Sequence, residues 1–261
     1  MGRWIAFIFA LAGCATAARP DLSGDAKNGS NQPIDAPITQ IDANTCATQP
    51  CDILTQCGCG MGMACDVDTT DLMGTACRML TTPGHETNTC GSLKDCDRGY
   101  VCLGAAGSST CKKYCSSSSD CGTPRGQCVI DVSNGTMVIP GIPSVCSSNC
   151  DPINTAIGGC PGGFKCGLFT QPHQSMTYGI VDCTLAGTLT QGANCAGAGS
   201  GDDKLCAPNF LCTQLGTTPV TYKCLKVCNK TANTGCVAAA PTCGGFGTPF
   251  LVAGTEYGVC Q

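Results

Sequence analysis

The sequence is poor in the residues that usually build a large hydrophobic core. It contains seven Phe, five Tyr and one Trp, and only 12% of its residues are charged. The single tryptophan, Trp4, lies in an N-terminal apolar segment. Because large buried aromatics normally supply much of a core, one large globular domain is not expected. Several small units held by covalent cross-links fit this composition better.

Charge and hydropathy argue against a nucleic-acid-binding protein and against a membrane-spanning segment after residue 13. The formal net charge is −4, and the few basic residues are scattered along the chain. They form no basic patch of the kind that binds phosphates, so no nucleic acid partner is expected. After residue 13 no apolar run is long enough to span a bilayer.

Residues suited to acid–base or nucleophilic chemistry are also scarce. The chain has two histidines, His85 and His173, both near a proline and outside any nucleophile motif. The sequence therefore predicts surface histidines, no enzyme activity and no cofactor.

Two acidic stretches are candidates for calcium, because oxygen-rich loops bind this ion. One contains Asp66, Asp68 and Asp71, and the other is Asp202-Asp203. The first fails the EF-hand pattern, since Asp71 stands at the glycine position and Cys77 at the bidentate glutamate position. We favour solvated loops at both places and predict no metal.

Cysteine is the residue that the chain has in abundance, at 27 of 261 positions. In an exported protein this density is typical of a disulfide scaffold. No Cys-x2-Cys knuckle occurs, which argues against structural zinc.

The N-terminus has the pattern of an export signal. Met1-Gly2-Arg3 is a short basic region, and the apolar run that follows is too short for a transmembrane helix. The run ends in Leu11-Ala12-Gly13-Cys14, which resembles the lipobox of bacterial lipoproteins. The resemblance implies a lipoprotein signal peptide over residues 1–13 and cleavage before Cys14. It also implies fatty acylation, for example with palmitate, that makes Cys14 a membrane anchor.

The residues after Cys14 bear on where the protein resides. In Gram-negative lipoproteins a residue other than Asp at the position of Ala15 implies the outer membrane, which here means display at the cell surface. An ordinary signal peptide is the alternative, since Ala15-Thr16-Ala17 is an acceptable cleavage site and Cys14 would then be discarded. Residues 14–45 are predicted to form the lipidated cysteine and a disordered tether, with a mean reach of about 30 Å.

The cysteine spacing after the tether is regular. Without Cys14, 26 cysteines remain, an even number that permits complete pairing. From Cys51 onward they form six groups of four, called modules 1 to 6 here, with five or six residues between the middle two cysteines. In chain order the modules contain Cys51, Cys59, Cys65 and Cys77; Cys90, Cys96, Cys102 and Cys111; Cys115, Cys121, Cys128 and Cys146; Cys150, Cys160, Cys166 and Cys183; Cys195, Cys206, Cys212 and Cys224; and Cys228, Cys236, Cys243 and Cys260. Cys46 and Cys57 are left over and are expected to pair with each other.

The order of the spacings indicates a duplication. A long junction, a three-residue junction and a wide final loop recur in the same order in modules 1–3 and modules 4–6. We predict Cys-rich unit 1 over residues 46–146 and Cys-rich unit 2 over residues 150–260. Four cysteines allow three pairings. We favour first with third and second with fourth, an interlocked arrangement that resembles small EGF-like or knottin-like modules.

The predicted fold class is therefore small disulfide-rich modules in tandem, with little regular secondary structure and only short β-hairpins. The clearest hairpin signal is Asn134-Gly135, between extended segments 129–132 and 136–139; residues 178–181 are also extended. An apolar residue stands two positions before the third cysteine of four modules, where we expect it to cover the disulfides in place of a core. These residues are Met63, Tyr100, Phe164 and Phe210.

Stapled loops of variable length are suited to binding other molecules. The wide loops before Cys146, Cys183 and Cys260 are the expected contact surfaces. We therefore predict a membrane-tethered, surface-exposed lipoprotein that acts as a binding, interaction or structural display module for an unknown protein or glycan ligand. The alternative is a secreted disulfide-rich inhibitor or effector of another protein, such as a protease inhibitor.

Overall fold

The computed structural model describes residues 46, 50–70, 73–81, 83–104, 108–154, 159–197, 200–216 and 219–261. The predicted signal peptide, Cys14 and the tether lie outside these residues. Within them, no helix has the length and apolar character needed to cross a membrane.

Thirteen disulfides pair all 26 cysteines from Cys46 onward. In every module the first cysteine is joined to the third and the second to the fourth, which is the pairing favoured from the sequence. Cys46 and Cys57 are also joined. The paired cysteines are 11 to 25 residues apart, so each bridge contributes about 3 kcal/mol in the chain-entropy description.

Antiparallel hairpins are the regular structure of the modules, and the disulfide-rich fold class is confirmed. The strands in chain order are β1 Met63–Val67, β2 Thr75–Met79, β3 Tyr100–Leu103, β4 Thr110–Lys113, β5 Cys128–Ile130, β6 Val145–Cys146, β7 Phe164–His173, β8 Met176–Leu185, β9 Phe210–Leu215, β10 Thr221–Asn229, β11 Cys243–Gly244, β12 Phe250–Val252 and β13 Thr255–Cys260. Short 3₁₀ turns lie at Leu93–Asp95, Ser118–Asp120 and Asp203–Leu205.

The hairpins explain the disulfide pairing. In all six modules the third cysteine lies directly opposite the fourth across an antiparallel strand pair, as Cys65 lies opposite Cys77 in module 1. Directly opposed residues project from the same face of a hairpin. The sulfurs of the third and fourth cysteines therefore face the segment that precedes the hairpin. They bond there to the first and second cysteines, and the two bridges hold that segment against the hairpin.

Two elements are more extensive than the other hairpins. Strands β7 and β8 each have ten residues. Modules 5 and 6 share a five-stranded sheet in the order β11-β13-β10-β9, with β12 paired to β13. The three-residue junction between Cys224 and Cys228 lies inside β10, so these two modules are joined by a continuous strand.

The predicted hairpin around Asn134-Gly135 is only partly present. An isolated bridge between Ser133 and Val138 closes the turn, and Ile139 N donates to Val132 O at 2.9 Å. However, β5 pairs with β6 rather than with residues 136–139, so the strand predicted there is wrong. The register of β5 is set instead by its pairing with β6, in which Cys128 lies opposite Cys146. Residues 178–181 lie in β8 as predicted.

Apolar packing is divided between the two predicted units. One buried cluster draws on residues 51–145 and the other on residues 150–257. Three smaller clusters have cores made almost entirely of cysteines. Phe210 packs on one of these and Phe164 on the unit 2 cluster, as expected for aromatics that cover disulfides. The ring of Tyr100 lies 6.1 Å from the His85 ring.

Both long junctions are hydrogen-bonded to the module that follows them. Gly84 forms a parallel bridge with Cys96, and Leu189 forms the same bridge with Cys206. In each case the residue after that cysteine donates its N–H to the junction residue, at 2.9 and 2.8 Å respectively. Neither junction is therefore a free linker, and the two units repeat the same backbone contacts.

Candidate functional site

A buried cation bridges modules 1 and 2. Arg78 Nε lies 2.6 Å from Asp66 Oδ2, and the guanidinium also donates to the carbonyls of Cys96 and Tyr100, both at 2.9 Å. Tyr114 Oη donates to Asp66 Oδ1 at 2.5 Å. Because Asp66 is fully buried, the solvated loop predicted for it is wrong.

Burial dominates the titration of this cluster. Desolvation raises the pKa of Asp66 above its ordinary value, although the Arg78 charge and the Tyr114 hydrogen bond oppose the shift. Burial, followed by the charge of Asp66, raises the pKa of Tyr114 well above its ordinary value. Asp68 accepts from the N–H of Thr70 within its own turn, and Asp71 lies outside the described residues. Asp66 and Asp68 are thus tied to the protein's own donors.

A buried lysine holds modules 4 and 5 together in a related way. Lys165 Nζ lies 2.9 Å from Asp203 Oδ1 and donates to the carbonyl of Phe210 at 2.8 Å. Phe210 and Tyr100 are equivalent, since each stands two residues before the third cysteine of its module. Burial lowers the pKa of Lys165, and the Asp203 charge opposes that shift. The solvated loop predicted for Asp203 is only partly right, because its side chain is 25% exposed and is paired with a buried lysine.

The two cations occupy opposite strands of equivalent hairpins. In unit 1 the cross-strand pair is Ala64 and Arg78, and in unit 2 it is Lys165 and Thr184. Ala64 and Lys165 both precede the third cysteine, whereas Arg78 and Thr184 both follow the fourth. The repeated units keep a buried cation and its carbonyl partner while exchanging the strand that supplies the cation.

Polar side chains also connect module 3 to unit 2. Arg125 Nη2 lies 2.8 Å from Asp151 Oδ2, and its Nε donates to Tyr257 Oη at 2.8 Å. Gln127 Nε2 donates to the carbonyl of Gly179 at 2.8 Å. Module 3 is thereby bonded to modules 4 and 6 together.

The two histidines differ in how far their side chains are exposed to solvent. The side chain of His85 is 72% exposed, as predicted, with Nδ1 3.7 Å from Asp97 Oδ2. His173 is only 12% exposed and its Nδ1 lies 2.9 Å from Asp131 Oδ1. The surface histidine predicted at 173 is wrong, because the β7–β8 hairpin packs its end against module 3.

The wide loops of modules 3, 4 and 6 lie against one another. They span residues 129–145, 167–182 and 244–259, and we call them the three-loop surface. The contact between His173 and Asp131 joins the first two loops. The second and third meet where β8 passes β12, so closely that a Cβ atom at Gly179 would lie 2.2 Å from the carbonyl oxygen of Leu251. The three loops predicted as contact surfaces are therefore neighbours.

Each of these loops presents an exposed apolar side chain. Met137 and Val138 project from the first loop, Met176 from the second and Leu251 from the third, each more than half exposed. Exposed apolar side chains mark an interaction site when they form a contiguous patch. Methionine adapts well to irregular partners because it is unbranched and polarisable.

A groove of about 390 Å³ lies beside the three-loop surface. It is lined by Leu168, Phe169, Thr170, Thr184, Gly201, Asp202, Asp203, Lys204, Leu211 and Phe250. Its volume is within the range that binds small ligands. Leu168, Phe169, Leu211 and Phe250 contribute apolar walls, and one rim carries the charges of the turn at residues 202–204.

A second groove, of about 580 Å³, lies in module 2 and is lined by turn residues. Their polar groups already serve the fold. Asp95 Oδ2 accepts from the N–H groups of Gly91 and Ser92, both at 2.8 Å, and Asn88 Oδ1 accepts from the N–H of His85 at 2.8 Å. Because these polar groups are already bonded within the protein, they are not available to bind a ligand in this groove.

No family model, curated protein or solved structure matches the chain. The disulfide pairing, the buried cations and the three-loop surface are therefore the observations from which a function is argued.

The cysteine sulfurs cluster closely enough to resemble metal sites. In several modules three sulfurs lie within 4.8 Å of one another, as those of Cys115, Cys121 and Cys146 do. Zinc is bound by thiolates, and each of these sulfurs belongs to a disulfide. The clusters are thus accounted for by the interlocked bridges.

Replacing Gly179 by alanine should disturb the packing of the third loop on the second. The added Cβ would meet the backbone of Leu251, so we expect a loss of about 1–3 kcal/mol in the free energy of unfolding, measured by denaturant titration with the disulfides intact. Gly162→Ala is the matched control, because a Cβ there would meet no atom within 4 Å. Equal effects of the two changes would contradict the packing described.

Proposed function

We propose that the protein is a membrane-tethered, surface-exposed lipoprotein whose Cys-rich ectodomain binds a protein or glycan through the three-loop surface. The observation that carries the proposal is the adjacency of three wide loops with exposed apolar side chains on a scaffold whose cysteines are all paired. Lipidated Cys14 supplies the anchor, at the outer membrane and on the cell surface.

The scaffold favours binding because it limits the entropy lost when a partner docks. Each wide loop begins at the third cysteine and ends at the fourth, and both are held at its base by disulfides to the first and second cysteines of the module. His173 joins the second loop to the first, while Arg125 and Gln127 hold the third and second loops against module 3. Preorganised loops gain affinity mainly by lowering the cost of ordering.

Complete cysteine pairing supports the export part of the proposal. Disulfides persist in oxidising compartments and are rare in the reducing cytosol. The N-terminal export signal and the lipobox resemblance agree with that environment.

The proposal can be tested by cross-linking on intact cells. A chemical cross-linker should join the wild-type protein to a partner, giving an adduct of defined mass. The variant Met137→Ser/Met176→Ser/Leu251→Ser should lose the adduct, because a partner would no longer bury these side chains. For a glycan ligand, the same proteins are compared by co-sedimentation with isolated cell-envelope polysaccharide.

The matched control is Met61→Ser/Met79→Ser/Val220→Ser, which changes exposed apolar residues outside the three loops. It should bind as the wild type does. Both variants should resist thiol alkylation, which shows that their bridges are intact. Binding retained by the three-loop variant, or lost equally in both variants, would refute the assignment of this surface.

A further inference from the structure

A buried lysine and aspartate meet between the two units. Lys112, on β4 of module 2, contacts Oδ1 of Asp182, on β8 of module 4. The side chain of Lys112 is 5% exposed. Ser148, which is fully buried, accepts from Lys112 Nζ at 2.8 Å and donates to Asp182 Oδ1 at 2.6 Å.

The same carboxylate oxygen has a further donor. The backbone N–H of Cys183 donates to Asp182 Oδ1 at 2.8 Å. Two fixed donors, a hydroxyl and an amide, therefore polarise this oxygen while the lysine nitrogen lies against it. Donors placed in this way stabilise the negative charge that develops on an oxygen during attack at its carbonyl carbon.

Desolvation of the two charges also favours conversion of the ion pair into an uncharged product. Burying two opposite charges costs several kcal/mol per ion in desolvation, and their attraction offsets this only when the geometry is favourable. An amide formed from the same two groups is uncharged, so its formation removes the cost of burying both charges.

We propose that Lys112 and Asp182 condense to form an intramolecular isopeptide bond. Lys112 first transfers one proton to the carboxylate of Asp182, which leaves a neutral amine beside a carboxylic acid. Lys112 Nζ then attacks Cγ of Asp182, and the new N–C bond forms as the Cγ–Oδ2 bond breaks. Oδ2 leaves as water, carrying two protons given up by the ammonium group, and Oδ1 becomes the amide carbonyl oxygen. The reaction needs no oxidant, reductant or cofactor.

The other buried cations lack this arrangement. Arg78 carries a guanidinium, which stays protonated and is not a nucleophile at neutral pH. Lys165 donates to the carbonyl of Phe210 and contacts Asp203, and no hydroxyl of the described residues bridges this amine and carboxylate. We therefore expect a single cross-link, at Lys112.

The cross-link would supply a connection that the disulfides do not. Among the described residues every bridge lies within one module or its N-terminal extension, and none joins two modules. An amide between residues 112 and 182 would join unit 1 to unit 2 covalently. Unlike the disulfides, it would survive reduction.

Mass spectrometry of the full chain tests the proposal directly. After reduction and alkylation, the wild-type protein should be lighter than its sequence and attached lipid require by the mass of one water molecule. Trypsin should fail to cut after Lys112 and should release one branched peptide that contains both Lys112 and Asp182.

Two conservative variants locate the bond. Lys112→Arg keeps a cation against Asp182 but cannot form the amide, so it should have its full mass and give two separate peptides. Lys165→Arg changes the other buried lysine and should retain the loss of one water. A wild-type chain of full mass, or a branched peptide that maps elsewhere, would overturn the proposal.

Discussion

Replacing Arg78 by alanine should lower the free energy of unfolding by about 3–5 kcal/mol. The change would leave the carboxylate of Asp66 buried without its cation, and Tyr114 and a backbone N–H would be its remaining donors. It would also remove the donors that satisfy the carbonyls of Cys96 and Tyr100 in module 2. Denaturant titration with the disulfides intact measures the loss.

Arg98→Ala is the matched control for this prediction. Arg98 belongs to the same pair of modules, but its Nη2 donates to the carbonyl of Gly60 in an exposed contact at 3.1 Å. Removal of such a surface contact should change stability by less than about 0.5 kcal/mol. Similar losses for Arg78→Ala and Arg98→Ala would show that the buried ion pair does not hold modules 1 and 2 together.

A double variant separates the ion pair from the other contacts of Arg78. In Asp66→Asn/Arg78→Ala no charge remains uncompensated, while the guanidinium donors to module 2 are still missing. We expect this protein to be more stable than Arg78→Ala alone, because a large part of the loss comes from the buried charge. A double variant that is less stable would mean that the carboxylate is stabilised chiefly by Tyr114.

The cysteine framework could be predicted from the sequence because the number of residues between successive cysteines repeats from module to module. The pairing within modules follows from hairpins that place Cys65 opposite Cys77, and from the same arrangement in the other five modules. Each module closes over a short stretch, so no distant contact is needed to define it. The Asn134-Gly135 turn between two extended segments was a weaker guide, because β5 pairs with β6, where Cys128 lies opposite Cys146.

The charged residues could not be placed in this way, because their partners come from other modules. Asp66 and Asp203 look like solvated loop residues until Arg78 and Lys165 are known to be buried beside them. Even alignment of the two units by cysteine position conceals the relation, since Lys165 corresponds to Ala64 rather than to Arg78. Only the cross-strand register shows that the two cations belong to equivalent cross-strand pairs.

The three-loop surface was predictable in part. Loop width pointed to the segments before Cys146, Cys183 and Cys260, but width alone does not say that they are neighbours. Their adjacency depends on the ten-residue β7–β8 hairpin, which reaches Asp131 through His173 and Leu251 through Gly179. The absence of a side chain at Gly179 was the one local signal of that close approach, and it has meaning only once the opposing strand is known.

Replacing Cys14 by alanine should abolish stable membrane attachment, which is the second large effect we expect. The proposed lipidation would place several acyl chains on Cys14, and each buried CH₂ group would contribute about 0.8 kcal/mol to membrane binding. The wild-type protein should therefore enter the detergent phase in a phase-partition experiment, and its mass should correspond to a chain that begins at Cys14 with lipid added. Cys14→Ala should carry no lipid, and the form that begins at residue 14 should disappear.

The double variant Cys46→Ala/Cys57→Ala controls for the loss of cysteine as such. It removes the disulfide nearest the tether but leaves Cys14, so it should still partition with detergent and carry the same lipid mass. A wild-type chain that begins beyond Cys14, lacks lipid and stays in the aqueous phase would refute the anchor. Cleavage near Ala15-Thr16-Ala17 would then explain the product, and the same disulfide scaffold would be a secreted effector whose three-loop surface meets its partner in solution.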